Sequence, residues 1–414
     1  MEHLYLSYLF IYDTMGKKKI VFLEEGRGIG GAETALMGLL RYLDKSGFEP
    51  LVILSCKSVF YTVLREENPE IRTVFLKTPS FMSTSWEVGN RRIPNPFAVF
   101  YNLPLIIIKA FKVSSYLNGK GISTIQTNDM YAHIYGGIVG KIINTPFNWW
   151  VQDIPSKFFL LGLGRFFLNF LGLLLPQKII AISQAVKSSF SPLLSTKISL
   201  VTLGIDPERL ESTGKEGKLK KKMGFSDSDI IVGMASRLVP WKGHEIFLES
   251  VSLLSKRNTN LKFLIVGGTT FGRANYLDRL KKISAKLGIA EKVVFTDFVY
   301  KVADMLSVID ILVHASIRPE PFGLDIVEAM FLGKVVVASD TGAPREIIDD
   351  DKDGILFKPA DTVALAEILQ RLLDLPQKCI ELGENAKIKA KEKFTAERFA
   401  KDFEKVIKMS EVKS

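Results

Sequence analysis

The sequence predicts an α/β protein of two domains, each a doubly wound parallel sheet with helices on both faces. Three observations lead to this prediction. Short apolar runs that suit buried strands alternate with helical patterns along the chain. A length of 414 residues is too great for one ordinary domain, and 47% hydrophobic residues can supply large cores. A turn-rich stretch, Leu203–Glu208, separates two halves that each contain a full set of such elements.

We therefore expect an N-terminal domain at 1–204 and a C-terminal domain at 205–394, with a ligand cleft between them. A last helix, at about 395–414, is expected to pack back on the first domain. No short-period repeat or low-complexity tract interrupts this organisation.

In the first half, a short apolar strand precedes a glycine-rich loop and a helix whose apolar residues recur at i, i+3, i+4 and i+7. The predicted strands are Ile20–Leu23, Leu51–Leu54, Ile143–Val151 and Lys178–Ile182, and the helical stripe is Leu36, Leu39, Leu40 and Leu43.

The second half is more regular, because each predicted strand is followed by a helical segment. The predicted strands are Ile230–Ala235, Phe263–Val266, Val293–Phe295, Ile311–His314, Val335–Ala338 and Ile355–Phe357, with helices at Glu245–Leu254 and Tyr276–Leu287.

Composition excludes several classes of protein. Two cysteines, Cys56 and Cys379, rule out a disulfide scaffold and a Cys-rich zinc module, and indicate a reducing compartment. Four histidines without an HExxH pair predict no metal site. A net charge of +10 favours anionic partners, but scattered basic residues without a nucleic-acid motif argue against DNA or RNA. The dense run Lys215–Lys222 is interpreted as a solvated helix or linker.

Two segments bear on membranes. The N-terminus has an apolar stretch but neither a basic leader nor a cleavage site, so it is a poor signal peptide, and Met15 is an alternative start. Phe158–Leu175 has 18 residues with one charge, Arg165, which meets the lower limit for a membrane span. Its glycines and Asn169 favour a buried or interfacial helix, and no other segment is interpreted as a span.

Gly26-Arg27-Gly28-Ile29-Gly30-Gly31-Ala32-Glu33 lies between a predicted strand and a helix. Its Gly-x-Gly-x-x-Gly spacing matches the dinucleotide fingerprint, but the second strand ends at Ser55-Cys56-Lys57 without the acid that would hold an adenosine ribose. Glycines still allow backbone N–H groups to approach an anion at a helix start. A flexible turn is the other interpretation.

A second loop, Ser236-Arg237-Leu238-Val239-Pro240-Trp241-Lys242-Gly243, again joins a strand to a helix. Arg237 offers a planar fork of donors and Lys242 a mobile point charge, so both could converge on a diphosphate. An Arg and a Lys in a loop could equally form a solvated surface.

The third segment runs from Arg318 to Met330 and contains Glu320-Pro321-Phe322-Gly323-Leu324 and, within the next helix, Glu328. Unpaired N–H groups at a helix start favour an anion. Two carboxylates around that start could bind two sets of hydroxyls on one ligand, such as a sugar and a ribose joined by phosphates. Alternatively, one acid caps the helix and the other is a surface residue.

Together these segments resemble the retaining nucleotide-sugar glycosyltransferases of family 4, which have the GT-B fold of two Rossmann-like domains. The resemblance rests on Gly30-Gly31-Ala32-Glu33, on Arg237 with Lys242-Gly243, and on Glu320-x7-Glu328. It continues through Val335–Ile348 and Gly354–Asp361. It covers Ile230 to about Leu373 densely and the N-terminal half only in pieces.

The resemblance implies a role for each matching residue. Arg237 and Lys242 would hold the donor diphosphate, with the amides of Gly30 and Gly31 closing on it. Glu320 would contact the sugar hydroxyls and Glu328 the ribose hydroxyls. The amides of Phe322, Gly323 and Leu324 would contact the sugar and distal phosphate. The family is thought to use front-face attack, with the departing phosphate taking the acceptor proton, and no metal or other cofactor is required.

The N-terminal half departs from the family pattern. Many relatives have a histidine facing the donor sugar, where this chain has Gln152 and Asp153. Gln152 could still bind a sugar hydroxyl. His133 is the nearest substitute along the chain, although helix packing is the more natural role for it. His314, at a strand end, is interpreted as structural.

We expect a cytoplasmic glycosyltransferase that uses a UDP-, GDP- or ADP-sugar. The acceptor is a glycan, either lipid-linked or a polysaccharide precursor. The net charge of +10 and the apolar segment Phe158–Leu175 predict that the enzyme visits an anionic membrane surface, at the inner face of the cell membrane, without spanning it. Packing of that segment inside the N-terminal domain is the alternative. An NAD(P)-dependent oxidoreductase, a sugar-nucleotide epimerase, a phosphorylase and a non-catalytic binding module are the alternatives. Base, sugar, acceptor and oligomeric state are not determined by the sequence.

Overall fold

The computed structural model describes residues 16–26, 28–88, 91–154, 164–211, 214, 216–255, 260–268 and 274–411. The chain divides into two compact units. Unit 1 comprises Met1–Thr202 and Glu397–Ser414, and unit 2 comprises Leu203–Ala396. The sequence placed these divisions at 204/205 and 394/395.

Unit 1 contains the first nine strands and unit 2 the other six. The strands are β1 (Lys18–Glu24), β2 (Phe48–Leu54), β3 (Arg72–Phe75), β4 (Ser85–Val88), β5 (Arg91–Pro94), β6 (Ile122–Thr127), β7 (Phe147–Val151), β8 (Lys178–Ala181), β9 (Ile198–Leu200), β10 (Ile230–Ala235), β11 (Leu261–Val266), β12 (Val293–Phe295), β13 (Ile311–His314), β14 (Val335–Ser339) and β15 (Ile355–Phe357).

Helices join most of these strands, and one-turn 3-10 segments lie at Pro192–Leu194, Pro207–Leu210, Pro240–Lys242 and Ala290–Lys292. The α-helices are α1 (Gly31–Tyr42), α2 (Val59–Glu67), α3 (Phe97–Leu117), α4 (Met130–Ile142), α5 (Gly164–Leu174), α6 (Gln184–Lys187), α7 (Glu216–Lys222), α8 (His244–Ser255), α9 (Ala274–Lys286), α10 (Ala303–Val308), α11 (Leu324–Phe331), α12 (Pro344–Ile347), α13 (Thr362–Asp374), α14 (Pro376–Lys393) and α15 (Ala396–Glu411).

The main sheet of unit 1 has seven parallel strands in the order β3-β2-β1-β6-β7-β8-β9. The predicted strand Ile20–Leu23 is fully buried within it, because helices on both faces of a parallel sheet favour continuous apolar runs. The strand order reverses between β1 and β6. Ligand crevices of open α/β sheets lie at the carboxyl ends of strands at such a reversal.

Helix α15 follows unit 2 in the chain but packs in the core of unit 1. The Phe403 ring stacks on Phe22 of β1 at 6.2 Å between centroids and meets Trp150 of β7 edge-on at 5.4 Å. The Asp44 amide donates to the Glu404 carboxylate at 2.8 Å, which fixes the helix to the turn before β2.

Unit 2 is a six-stranded parallel sheet in the order β12-β11-β10-β13-β14-β15. Its reversal lies between β10 and β13, where Val232 pairs with Ile311. Buried apolar side chains from the sheet and from α8, α9 and α13 form the core, including Phe247, Phe263 and Leu369.

Two predicted features of unit 1 need correction. The strand predicted at Ile143–Val151 begins only at Phe147, because α4 runs to Ile142 and Asn144 then adopts a left-handed turn conformation at φ +50°. The central strand β6 was not predicted. Its buried positions include Thr124, Gln126 and Thr127, so it lacks the apolar run by which its neighbours are recognised.

The membrane-related prediction also changes. Within the predicted segment Phe158–Leu175, α5 is an eleven-residue helix, and residues 158–163 lie outside the described residues. Helix α3 was not predicted from the sequence, and it has 21 residues and a mean hydropathy of 1.5 in its most apolar window. Among the described helices, α3 alone is long and apolar enough to cross a membrane, by length and composition.

Candidate functional site

In unit 2 the residues singled out from the sequence gather where the strand order reverses. Lys242 follows β10 and Glu320 follows β13, and these two strands are neighbours in the sheet. Both residues therefore lie at the carboxyl ends of the two central strands, where open α/β proteins bind their ligands.

The turn that carries Lys242 requires a glycine immediately after it. Gly243 has a φ of +79°, and a Cβ atom there would overlap the carbonyl oxygen of Ala315. The Ile317 amide donates to the Trp241 carbonyl oxygen at 2.9 Å. These contacts fix the turn after β10 against the loop after β13.

Glu320 is held by its backbone as well as by its side chain. Its N–H donates to the Thr341 carbonyl oxygen at 3.2 Å, and its own carbonyl oxygen accepts from the Ala343 amide at 2.9 Å. Gly342 lies between these two partners, and a Cβ atom there would overlap the Glu320 backbone. The loop after β14 thus fixes the loop after β13.

The Glu320 carboxylate is the centre of a buried polar cluster. Its Oε2 accepts from Lys242 Nζ at 2.8 Å and from Ser316 Oγ at 2.8 Å, and lies 3.2 Å from His314 Nε2. Burial alone would raise the pKa of Glu320, but the charges of Lys242 and His314 outweigh it and hold that pKa well below its usual value. The carboxylate is therefore ionised at neutral pH.

His314 completes the cluster. Its Nδ1 lies 2.7 Å from Oδ2 of Asp325, in the first turn of α11, and its Nε2 faces Ser316 and Glu320. Burial opposes a charge on the ring, yet Asp325 and Glu320 together raise the pKa of His314 to about 9. We therefore assign this histidine as an imidazolium that orients Glu320, which revises the purely structural role expected from the sequence.

Glu328 lies one turn beyond Asp325 on α11. Burial, reinforced by the Asp325 charge and opposed by that of Arg209, raises the pKa of Glu328 to about 8. The Arg209 guanidinium carbon lies 5.2 Å from the centre of the Tyr300 ring. Glu328 is thus protonated and neutral at pH 7 in the absence of ligand. The cation near it is the guanidinium of Arg209.

The start of α11 provides hydrogen-bond donors beside this cluster. Gly323 caps the helix at φ +104°. Within the described part of unit 2, the N–H groups of Phe322, Gly323 and Leu324 donate to no other group. Such groups, at the positive end of the helix dipole, suit an anionic or hydroxyl oxygen.

Among the described residues, the Arg237 side chain forms no hydrogen bond with this cluster. It is exposed after β10 and, among the described residues, forms no ion pair. Its guanidinium is thus available to a ligand, whereas Lys242 is already paired with Glu320.

In unit 1, Gly30 caps α1 and Gly31 is its first residue. The Gly30 N–H donates to the Glu33 carboxylate at 2.8 Å. A ligand oxygen that used this amide would have to displace Glu33. Arg27 of the same loop lies outside the described residues.

The residues predicted for the sugar or acceptor side differ in exposure. Gln152 follows β7, and within the described residues its amide oxygen and nitrogen are buried without a hydrogen-bond partner. Asp153 is exposed and accepts from the Ile154 amide at 2.8 Å. His133 is buried in α4, where its Nδ1 lies 2.7 Å from Thr127 Oγ1 and its ring stacks on Trp149. Burial lowers the pKa of His133 to about 3, so the ring is a neutral packing group.

Sequence reasoning missed Ser316, Asp325 and Arg209 as neighbours of the predicted residues. The polar residues His314 and Ser316 at the end of β13, with an acid in the first turn of α11, were the available signal for Ser316 and Asp325. Among the described residues, no group of three or more His, Cys, Asp or Glu side chains has a geometry that could hold a metal ion.

Residues 215–389 match the family model described as glycosyl transferases group 1. This match lies within unit 2 and contains Arg237, Lys242, Glu320 and Glu328. It supports the glycosyltransferase family expected from the sequence, and nothing supports the oxidoreductase alternative.

Curated relatives match over part of their length. An uncharacterized glycosyltransferase of Methanocaldococcus jannaschii is 29% identical over 233 residues, or 55% of this chain and 57% of that protein. The GDP-mannose-dependent alpha-(1-6)-phosphatidylinositol monomannoside mannosyltransferase of Mycolicibacterium smegmatis is 27% identical over 213 residues, or 49% and 54%. The chain spans about half the length of the curated relatives it matches.

Solved structures match the whole fold. HepE of Anabaena, solved in complex with UDP and glucose, superposes with a TM-score of 0.80 at 24% identity, covering 95% of this chain and 100% of that one. Sucrose-phosphate synthase from Thermosynechococcus elongatus superposes with a TM-score of 0.78 at 18% identity, covering 96% and 100%. These matches confirm the predicted α/β fold with two Rossmann-like, parallel-sheet domains of the GT-B type.

Proposed function

We propose that this chain is a glycosyltransferase that moves a sugar from a nucleoside diphosphate sugar to a glycan acceptor with retention of anomeric configuration. One observation carries the proposal. The buried Lys242–Glu320 pair lies beside the unpartnered N–H groups at the start of α11, within the segment that matches glycosyl transferases group 1.

The positive groups of the site would stabilise the leaving diphosphate during the transfer. As the bond between the anomeric carbon and the diphosphate oxygen breaks, negative charge grows on the leaving group. Arg237, Lys242 and the helix start would stabilise that charge, and each 1.4 kcal/mol of stabilisation gives about tenfold in rate. The acceptor oxygen then bonds to the anomeric carbon on the face from which the diphosphate leaves, and its proton passes to a leaving phosphate oxygen.

Glu320 and Glu328 would select the donor. The ionised Glu320, fixed by three neighbours, would accept hydrogen bonds from sugar hydroxyls, and Glu328 from the ribose hydroxyls. Since Arg237, Lys242 and the amides supply the positive charge, we propose that the reaction requires no metal. Full turnover in excess EDTA is the expected result, and loss of turnover restored by Mg²⁺ would refute that part.

The donor would be a UDP-, GDP- or ADP-sugar. The solved HepE structures contain UDP, glucose or UDP-glucose, which makes UDP-glucose the first donor to test. For the acceptor we propose a lipid-linked or polysaccharide-precursor glycan in the cytoplasm. The Mycolicibacterium smegmatis relative is named for a lipid acceptor, phosphatidylinositol monomannoside.

A thermal-shift panel of UDP-, GDP- and ADP-sugars tests donor binding. We expect one nucleotide class to raise the midpoint of unfolding and Glu320→Gln to reduce that shift, because the substituted amide carries no charge for Lys242 and His314 to hold in place. Asp353→Asn, which alters the comparable buried pair with Lys389 in the same unit, is the matched control and should keep the shift. Equal shifts in both variants would refute the site.

Product analysis tests the reaction. With the identified donor and a glycan acceptor, NMR of the product should show the anomeric configuration of the donor. An inverted product would refute retention. Conversion of the donor sugar without an acceptor would favour the epimerase alternative.

A further inference from the structure

Helix α3 of unit 1 presents an apolar face to solvent. Phe100 is 79% exposed and Phe111 is 62% exposed. The exposed positions recur at the spacing of one helical face, and nearly all are apolar. The exposed apolar residues of α3 are Phe97, Phe100, Tyr101, Leu103, Pro104, Ile107, Ile108 and Phe111, and we call this set the α3 face.

The opposite side of α3 is buried and mostly apolar, and two polar residues on it are held by hydrogen bonds. Lys109 is buried and donates to Glu25 at 2.7 Å and to Ser55 at 3.2 Å. Asn102 donates to the Met82 carbonyl oxygen at 2.9 Å and accepts from its amide at 2.8 Å. The helix is therefore fixed in unit 1 by its buried side, and a second apolar side is left in water.

An ordinary surface helix has one apolar stripe, which faces the core, whereas α3 is apolar on its exposed side as well as on its buried side. Phe97 to Phe111 span roughly 21 Å at 1.5 Å per residue. A contiguous apolar stripe of this length usually marks an interaction surface. Because Lys109 and Asn102 are engaged inside unit 1, α3 cannot leave the unit to span a bilayer without breaking those bonds.

The positive charge of unit 1 indicates which kind of surface the α3 face would contact. The sequence of unit 1 has 26 Lys and Arg against 17 Asp and Glu, so it carries nine of the ten net positive charges of the chain. Glu24 and the Lys109–Glu25 ion pair are buried, so burial does not reduce the positive balance of the surface. Lys112 follows Phe111 on the exposed side of α3. Basic residues beside an exposed apolar helix face favour an anionic lipid surface.

We propose that the α3 face docks unit 1 onto an anionic lipid bilayer, with α3 lying in the plane of the headgroups. A second copy of the chain is disfavoured, because a symmetric contact through this face would bring two units of charge +9 together. The proposal goes beyond the proposed function and does not depend on donor chemistry. It moves the membrane contact from the predicted Phe158–Leu175 to α3.

Co-sedimentation of the full chain with vesicles tests this proposal. We expect binding to vesicles of phosphatidylcholine with phosphatidylglycerol, weaker binding to phosphatidylcholine alone, and loss of binding as salt rises. Carbonate at pH 11 should release the protein. No binding to anionic vesicles at low salt, or retention in the pellet after carbonate, would overturn the proposal.

Double substitutions on different helices identify which surface binds the vesicles. Phe100→Asp with Phe111→Asp should weaken binding to anionic vesicles by roughly tenfold or more, because two aromatic anchors are lost. Leu253→Asp with Ile380→Asp makes the same charge change at exposed helix positions of unit 2 and should leave binding nearly unchanged. Phe166→Asp with Phe170→Asp makes it on α5. If the α5 pair abolishes binding and the α3 pair does not, the assignment to α3 is wrong.

Two further measurements distinguish lipid binding from a defect in the donor site and from dimer formation. Thermal unfolding and the shift given by the nucleotide sugar should be the same in the α3 pair as in the unchanged chain, so failure of the proposed donor site would not affect this test. Sedimentation velocity without vesicles should show the same mass for both. A dimer that the α3 pair converts to a monomer, with vesicle binding unchanged, would overturn the lipid proposal in favour of a second copy.

Discussion

Nζ of Lys242 lies 2.8 Å from Oε2 of Glu320, and both residues are buried, at 8% and 6% exposure. The sequence assigned Lys242 to the diphosphate and Glu320 to the sugar, as separate contacts. Since each is the ion-pair partner of the other, a substitution at one also changes the environment of the other. Removing one member of a buried pair leaves an uncompensated charge and typically costs about 3–5 kcal/mol.

Lys242→Met is expected to lower both stability and transfer. His314 stays beside Glu320, so the loss of Lys242 should reduce the free energy of unfolding by less than the about 3–5 kcal/mol of a fully uncompensated charge. The lost cation should reduce turnover by at least about a hundredfold. Lys389→Met, which removes the cation from the buried Asp353 and from the exposed Asp349 in the same unit, is the control. Urea unfolding and donor turnover, measured below both transitions, separate the effects. Equal turnover in the two variants would contradict the role of Lys242.

Gly342→Ala should impair donor binding through the backbone. A Cβ atom at Gly342 would overlap the Glu320 backbone, so the loop that holds this carboxylate must shift. Gly288→Ala is the control, because Gly288 also has a positive φ, of +71°, but open space around its Cβ position. Each substitution costs roughly 1–2 kcal/mol for the left-handed backbone. Isothermal titration with the nucleotide sugar should show weaker binding only for Gly342→Ala.

His314 should make stability decline at alkaline pH. Its pKa is raised to about 9, so its contribution is fully present below its unfolded pKa of about 6.5 and is lost as the pH rises through 9. Unfolding free energies from urea titrations between pH 6 and 10 should therefore fall more steeply for the unchanged chain than for His314→Gln. Parallel curves would show that His314 is not charged in the folded state.

Glu328→Gln should separate stability from donor binding. The raised pKa of about 8 means that folding favours the protonated acid, so the stability of the unchanged chain declines as the pH rises from about 4.5 through 8. The variant should match the unchanged chain at pH 4.5 and exceed it in stability above pH 8. Its affinity for the nucleotide sugar should be lower, if Glu328 binds the ribose. A variant that is less stable at every pH would contradict the pKa argument.

The sequence alone predicted most of unit 2 correctly and less of unit 1. The segments Ile311–Val313 and Val335–Ala338 are continuous apolar runs, because their strands are buried on both faces of a parallel sheet. In unit 1, β6 has buried Thr and Gln residues and resembles a loop in sequence, although it occupies the centre of the sheet. Helix α3 was overlooked because it is apolar on both its buried and its exposed side, so it lacks the periodic stripe by which amphipathic helices are recognised.

Local sequence determined which residues stand at the ends of strands and the starts of helices, since backbone preferences and apolar periodicity act over a few residues. It thereby placed Lys242 after one strand and Glu320 after another. Only the tertiary structure decided that these residues, 78 positions apart, form one ion pair and that His314 and Asp325 support it. The physical reason is the order of strands in the sheet: β13 pairs with β10 and brings the two loops together, and no local interaction specifies that pairing.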